Sequence, residues 1–163
     1  MAVKAGERMP EGKLLKMGAN GVDGVDTRDL FAGRRVVVFG LPGAFTGTCS
    51  TAHVPSYMRV MPSLTARGVD EVICVAANDP WVMKAWGEAT GAASAGITML
   101  ADPSGDWIEV LGTAFDAPQV GFHRRSRRFS ALVVDGVVEI WHEEAGPGVC
   151  EATAGEAMLT AMG

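Results

Sequence analysis

At 163 residues, 48% hydrophobic and 20% charged, the chain can bury a core without disulfides or metals, and its simplest organisation is one domain spanning 1–163. The composition is that of an ordinary globular protein, and no apolar run exceeds strand length, which excludes disorder and a membrane-spanning helix as readings. A formal net charge of −5 argues against a nucleic-acid partner, the cluster Arg124, Arg125, Arg127 and Arg128 being the local exception.

In chain order, the N-terminus has no apolar signal core, so the cytoplasm is the expected location and no membrane partner is expected. The first 30 residues are turn-rich and close with a short helical stretch over Thr27 to Phe31. Val36 to Phe39 is a β-branched apolar run that reads as a buried strand, and Leu41-Pro42-Gly43 must turn. The chain restarts around Thr46 to Thr48, both suited to capping a helix that reaches about Ala66, with Pro55 expected to kink it by removing a backbone donor. Val72 to Ala76 is the next buried strand. Asn78-Asp-Pro80 supplies a cap and a first-turn proline for a helix over Trp81 to Thr90. Ile97 to Leu100 is a third short strand, followed by the turn Asp102-Pro-Ser-Gly105. Phe129 to Val134 and Val137 to Trp141 flank Asp135-Gly136, a strong hairpin signal. A helix from about Glu151 to Met162 ends the chain.

This order is β-α-β-α, an inserted strand and helix, then a β-hairpin and a helix. The β-α-β unit predicts parallel strands, and the hairpin adds antiparallel ones. The fold class is therefore α/β: a thioredoxin-like fold with an N-terminal extension and a central insertion, its mixed sheet flanked by helices. In such sheets ligands gather at the carboxyl ends of the strands. Cys49 lies just beyond one of them.

Three cysteines, Cys49, Cys74 and Cys150, are an odd number without close pairs. They form neither a disulfide framework nor, with histidine, a zinc-ligand set. A thiol in the first turn of a helix meets unpaired N–H groups and the positive end of the macrodipole, which favour the nucleophilic thiolate. Thr46, three residues earlier, stands where a C-x-x-C motif would carry a second sulfur, so the site suits one attacking sulfur with a hydrogen-bonding neighbour. His53 could share that helix face, but a packed or surface histidine is the simpler reading. Trp81, Val82, Ala85 and Trp86 form an apolar stripe that reads as core or subunit interface. Alternation on a strand starting at Arg127 puts Arg128 on one face with Ser130, Leu132 and Val134, and Arg127 on the other with Phe129 and Ala131. Arg124, Arg125 and Arg127 read as a solvated face.

Pro42-Gly-Ala-Phe-Thr46-Gly-Thr-Cys49 resembles the Pro-x-x-x-Thr-x-x-Cys signature of peroxiredoxins, and Phe39-Gly-Leu-Pro-Gly-Ala-Phe-Thr46 is similar to the type II, peroxiredoxin-5-like branch. The resemblance continues through Asn78 to Trp86, Leu100-Ala-Asp102 and Arg127-Arg-Phe-Ser130. It implies reduction of hydrogen peroxide and organic hydroperoxides without metal, haem, flavin or other cofactor. In that scheme Cys49 is the peroxidatic cysteine, Thr46 hydrogen-bonds peroxide and sulfur, Pro42 shields the pocket from water and Arg128 is the family arginine. Gly47 departs from the proline common there, which bears on loop preorganisation. The resemblance also implies a homodimer. Resolution of the oxidised Cys49 stays open between Cys150, Cys74 and an external thiol such as glutathione, delivered with glutaredoxin or thioredoxin. Two alternatives stand beside this reading. One is a thiol-disulfide oxidoreductase, disfavoured by the missing C-x-x-C; the other is a peroxide-sensing switch or holdase in which Cys49 oxidation controls a partner.

Overall fold

A computed structural model describes residues 2–146 and 148–163. Of the Gly146-Pro147-Gly148 loop expected before the last helix, Pro147 lies outside the described residues. The alternating apolar residues of β3 (Arg35–Gly40) dictate the layering: Val36 and Val38 point into one core, Val37 and Phe39 into the other. Both faces of this strand are dry, and each fully buried aliphatic side chain contributes about 1.5–3 kcal/mol. β3 pairs in parallel with β4 (Glu71–Ala76), which pairs in parallel with β5 (Ile97–Ala101). β8 (Phe129–Val134) joins β3 from the other side, antiparallel, and β9 (Val137–Glu143) closes that edge.

The N-terminal segment is less irregular than its turn-rich composition predicts. It folds as a hairpin of β1 (Lys13–Gly18) and β2 (Gly21–Asp26) that extends the far edge through β5, giving the order β2-β1-β5-β4-β3-β8-β9. α2 (Val54–Ala66), α3 (Pro80–Thr90) and α5 (Gly155–Met162) supply Tyr57, Trp86 and Met158 to the core on one face. α1 (Thr27–Phe31) and α4 (Asp106–Leu111) supply Phe31 and Trp107 to the other. The central insertion also carries a small separate hairpin, β6 (Ala114–Ala117) with β7 (Phe122–Ser126), whose alternation is too weak to read in sequence.

Most local signals act as their chemistry dictates. Asp79 caps α3 by accepting from Val82 N–H at 2.8 Å, with Pro80 in the first turn. Asp135 and Gly136, at φ 48° and 78°, make the tight turn between β8 and β9. Three expectations are corrected. Thr46 and Thr48 do not cap the helix with their hydroxyls: each donates instead to a loop carbonyl, Thr46 to Gly43 at 2.6 Å and Thr48 to Gly148 at 3.3 Å. The disturbance around Pro55 is a π turn over Cys49–His53, with Val54 N–H bonded to the Cys49 carbonyl. The last helix starts at Gly155 instead of Glu151, because Glu144 Oε2 takes the N–H groups of Glu151 and Thr153 at 2.9 and 2.6 Å and holds that segment as a turn.

Candidate active site

The site is built where β3 ends. Gly40 is required there because a Cβ would enter the Phe129 ring, and the chain turns away through Leu41 and Pro42. Phe45 adopts φ 63°, a left-handed conformation that a bulky residue occupies only under constraint. The constraint is visible on both sides of it: Ala44 N–H donates to Asn78 Oδ1 at 2.9 Å, and the Thr46 hydroxyl is held by the Gly43 carbonyl. With that proton committed, the Thr46 oxygen can serve any further partner only as an acceptor. Trp86 Nε1–H donates to Ser50 Oγ at 3.0 Å, so α3 pins the residue next to Cys49.

Cys49 is 1% exposed and Arg128 2%. Arg128 Nη1–H points at Cys49 Sγ, 3.4 Å away. Side chains alternate along β8 as the sequence predicts: Leu132 lies in the Cys49 core, while Phe129, Ala131 and Val133 face the opposite one. The Arg127 guanidinium turns outward, to the carbonyls of Gly112 and Ala114 and to Glu143, and Arg124 pairs with Asp106 and Glu109. Arg125 is not a bystander on a solvated face. Its Nη1–H donates to the Pro42 carbonyl at 2.9 Å and its guanidinium lies 5.0 Å from the centre of the Phe122 ring. An open groove of about 320 Å³, lined by Pro42, Thr46, Thr48, Val120, Phe122 and Arg128, leads to this cluster.

His53 is the residue that sequence reasoning left unassigned. It is fully buried and lies 3.1 Å from Arg128 Nη1 through Nδ1 and 3.1 Å from the Thr153 carbonyl through Nε2. Burial, reinforced by the Arg128 charge, holds it well below its ordinary value of 6.5, against a smaller upward pull from Thr153. It is therefore neutral near pH 7. Its four-residue spacing from Cys49 was the available signal. Spacing alone could not separate a partner of Arg128 from a packed ring.

Cys74 sits in β4, paired with Phe39 on one side and Met99 on the other, and burial followed by the nearby Cys49 pushes its thiol well up. Cys150 is half-buried in the segment before α5. Burial raises it too, opposed by Arg128 and by a hydrogen bond with the Thr153 side chain. Among the described residues no cluster of histidine, cysteine and carboxylates could hold a metal ion, and no helix is long and apolar enough to cross a membrane.

One charged donor on a buried sulfur, at the mouth of a small groove, suits attack on a compact, polarisable bond. The Redoxin family model matches residues 4–158. The chain belongs to the peroxiredoxins of this family. Peroxiredoxin-2C of Arabidopsis thaliana is 36% identical over 161 residues, covering 98% of each chain. The mitochondrial peroxiredoxin-2F of Oryza sativa subsp. japonica is 42% identical over 132 residues, covering 81% of this chain and 66% of that one. Reduced Prx3 of Vibrio vulnificus, solved in complex with hydrogen peroxide, superposes with a TM-score of 0.91 at 38% identity over 99% of both chains. This peroxiredoxin has the mixed, thioredoxin-like α/β fold and is a thiol-dependent peroxidase, an antioxidant oxidoreductase that uses peroxide as substrate and a thiol as reductant.

Proposed function

We propose that Cys49 is the reacting thiol of this peroxiredoxin, assisted by Thr46, Pro42 and Arg128, and that its substrates include hydrogen peroxide and organic hydroperoxides. The observation carrying the reading is the Arg128 Nη1–H on Cys49 Sγ. The Cys49 thiolate attacks the distal peroxide oxygen; the S–O bond forms as the O–O bond breaks, sulfur loses two electrons, and the departing oxygen takes a proton and leaves as water or alcohol. Negative charge moves from sulfur to that oxygen along the path. A fixed guanidinium beside sulfur stabilises it without reorganisation. Thr46 accepts the hydrogen of the attacked peroxide oxygen, and the buried Pro42 ring keeps water from the sulfur.

A second thiol then attacks that sulfur: the S–S bond forms as the S–O bond breaks, the oxygen leaves as water, and the resulting disulfide holds the two-electron oxidation until a reductant supplies the electrons. Cys150 is favoured over Cys74 for this step. Its loop is tied to the Cys49 loop by the Thr48 to Gly148 bond and ends in a turn that can open, whereas Cys74 would have to break strand pairing on both sides to reach disulfide geometry. Glutathione with glutaredoxin, or thioredoxin, restores the thiols. Free cysteines support a reducing compartment, with the cytoplasm as the simplest choice. A homodimer is supported by Phe45 and Trp81, 60% and 63% exposed on segments that the Ala44 to Asn78 bond holds together.

The test is mass spectrometry after one equivalent of peroxide, with and without glutathione. A sulfenic acid on Cys49 followed by a Cys49–Cys150 disulfide, or a glutathione adduct on Cys49, is expected. A Cys49–Cys74 peptide as main product, or full turnover by Cys49→Ser, contradicts the reading. Continuous, reductant-dependent peroxide consumption separates this enzyme from a sensor that is oxidised once.

A further inference from the structure

We infer that His53 is a positioning residue for catalysis: its neutral ring sets the orientation of Arg128 and so aims the guanidinium hydrogen at Cys49. The inference rests on the reading of Cys49 as the reacting thiol. Arg128 Nη1 carries two hydrogens in the plane of the guanidinium and can only donate. It has an acceptor for each: Cys49 Sγ at 3.4 Å and His53 Nδ1 at 3.1 Å. Nδ1 must therefore hold the lone pair, and the ring proton must be on Nε2.

Nε2 faces the Thr153 carbonyl at 3.1 Å, which can only accept, so both neighbours demand the same tautomer. The ring has little freedom to adopt another pose. It packs at 4.8 Å from the Phe39 ring and 5.8 Å from Tyr57, and those two rings are stacked on each other at 4.2 Å. A second proton on the ring would set an N–H against the guanidinium in a dry site, which matches the depressed basicity of His53. The acceptor on one Nη1 hydrogen thus fixes the direction of the other. The π turn between Cys49 and His53 gives the spacing that lets both side chains meet one nitrogen.

The deciding measurement is a double-mutant cycle read as the rate constant of the reduced enzyme with hydrogen peroxide. His53→Phe keeps a ring but removes the acceptor, and should slow the reaction at least about tenfold. In an Arg128→Met background the same change should slow it by less than about twofold, because there is no guanidinium left to orient. His53→Gln, whose amide presents one acceptor and one donor, should recover most of the rate. An equal loss in both backgrounds, failure of glutamine to do better than phenylalanine, or an undiminished rate in His53→Phe would overturn the inference. Should His53→Phe fail to fold, His53→Met, which also lacks the acceptor, replaces it in the cycle and must meet the same limits. Cys49→Ser separates the two levels: if it abolishes the reaction while the cycle is flat, only the role of His53 falls.

Discussion

Arg125 and Pro42 are joined across the mouth of the groove by a 2.9 Å hydrogen bond from the guanidinium to the carbonyl oxygen. Arg125 thereby anchors the loop that carries Thr46 and Cys49, three residues before Arg128, whose guanidinium meets the sulfur. Arg125→Ala should lower the rate with peroxide about tenfold with a small change in melting temperature, since misplacing a loop by about an ångström costs up to 10²-fold. Gly43→Ala offers an independent check: its methyl would collide with the same Arg125 nitrogen and displace it. Stopped-flow rates for the two variants should fall together. A normal rate in Arg125→Ala would return this residue to the solvated face.

Thr46→Val keeps the shape of the side chain but removes both the lock on the Gly43 carbonyl and the acceptor oxygen. The expected loss in the peroxide reaction is about 10²-fold, in the range of other positioned hydrogen-bonding groups. Thr46→Ser should stay within about tenfold of the native rate, because it retains the hydroxyl. Equal losses from serine and valine would assign the effect to packing of the methyl group.

Glu144 predicts a dependence on pH. Burial works against its charge, but hydrogen bonds from the Thr153 hydroxyl and from backbone N–H groups outweigh it and hold the carboxyl below its ordinary value of 4.5. A carboxyl depressed by folding contributes stability above its unfolded value and loses it as pH falls through the folded one. The native protein should therefore exceed Glu144→Gln in thermal stability by a constant amount above about pH 4.5, and the gap should close below it. The pair is compared at each pH so that His53, whose depressed basicity also costs stability on acidification, cancels. A gap that persists unchanged into acid would show that the Glu144 charge does not hold the Glu151–Ala154 turn.

Gly47 opens the helical run that leads into the π turn, has no left-handed φ, and has free space where a Cβ would stand. Proline is well suited to a first helical position. Gly47→Pro should stabilise the reduced enzyme by about 0.4–1 kcal/mol through the unfolded chain, leaving the rate with peroxide within about twofold. A destabilised variant would reveal that this backbone N–H is needed at the site.

Local chemistry made much of this protein legible before its structure. The run Val36 to Phe39 cannot be anything but buried, Pro42 and Gly43 end it, and Asp79-Pro80 and Asp135-Gly136 start a helix and turn a hairpin by their own stereochemistry. The alternation that turned Arg128 inward is equally local, since side chains on a strand change sides at every residue. Other features belong to the tertiary structure because their partners are far apart in sequence. Arg125 meets Pro42 across 83 residues, and His53 meets Arg128 across 75 and Thr153 across 100. The start of α5 differs from its local signal for the same reason: Glu144 captures the N–H groups ahead of it, and helix propensity carries no record of that carboxylate. A buried donor takes the nearest acceptor in space. Which acceptor that is depends on how β3, β8, α2 and the segment before α5 pack against one another, and no periodicity along the chain encodes it.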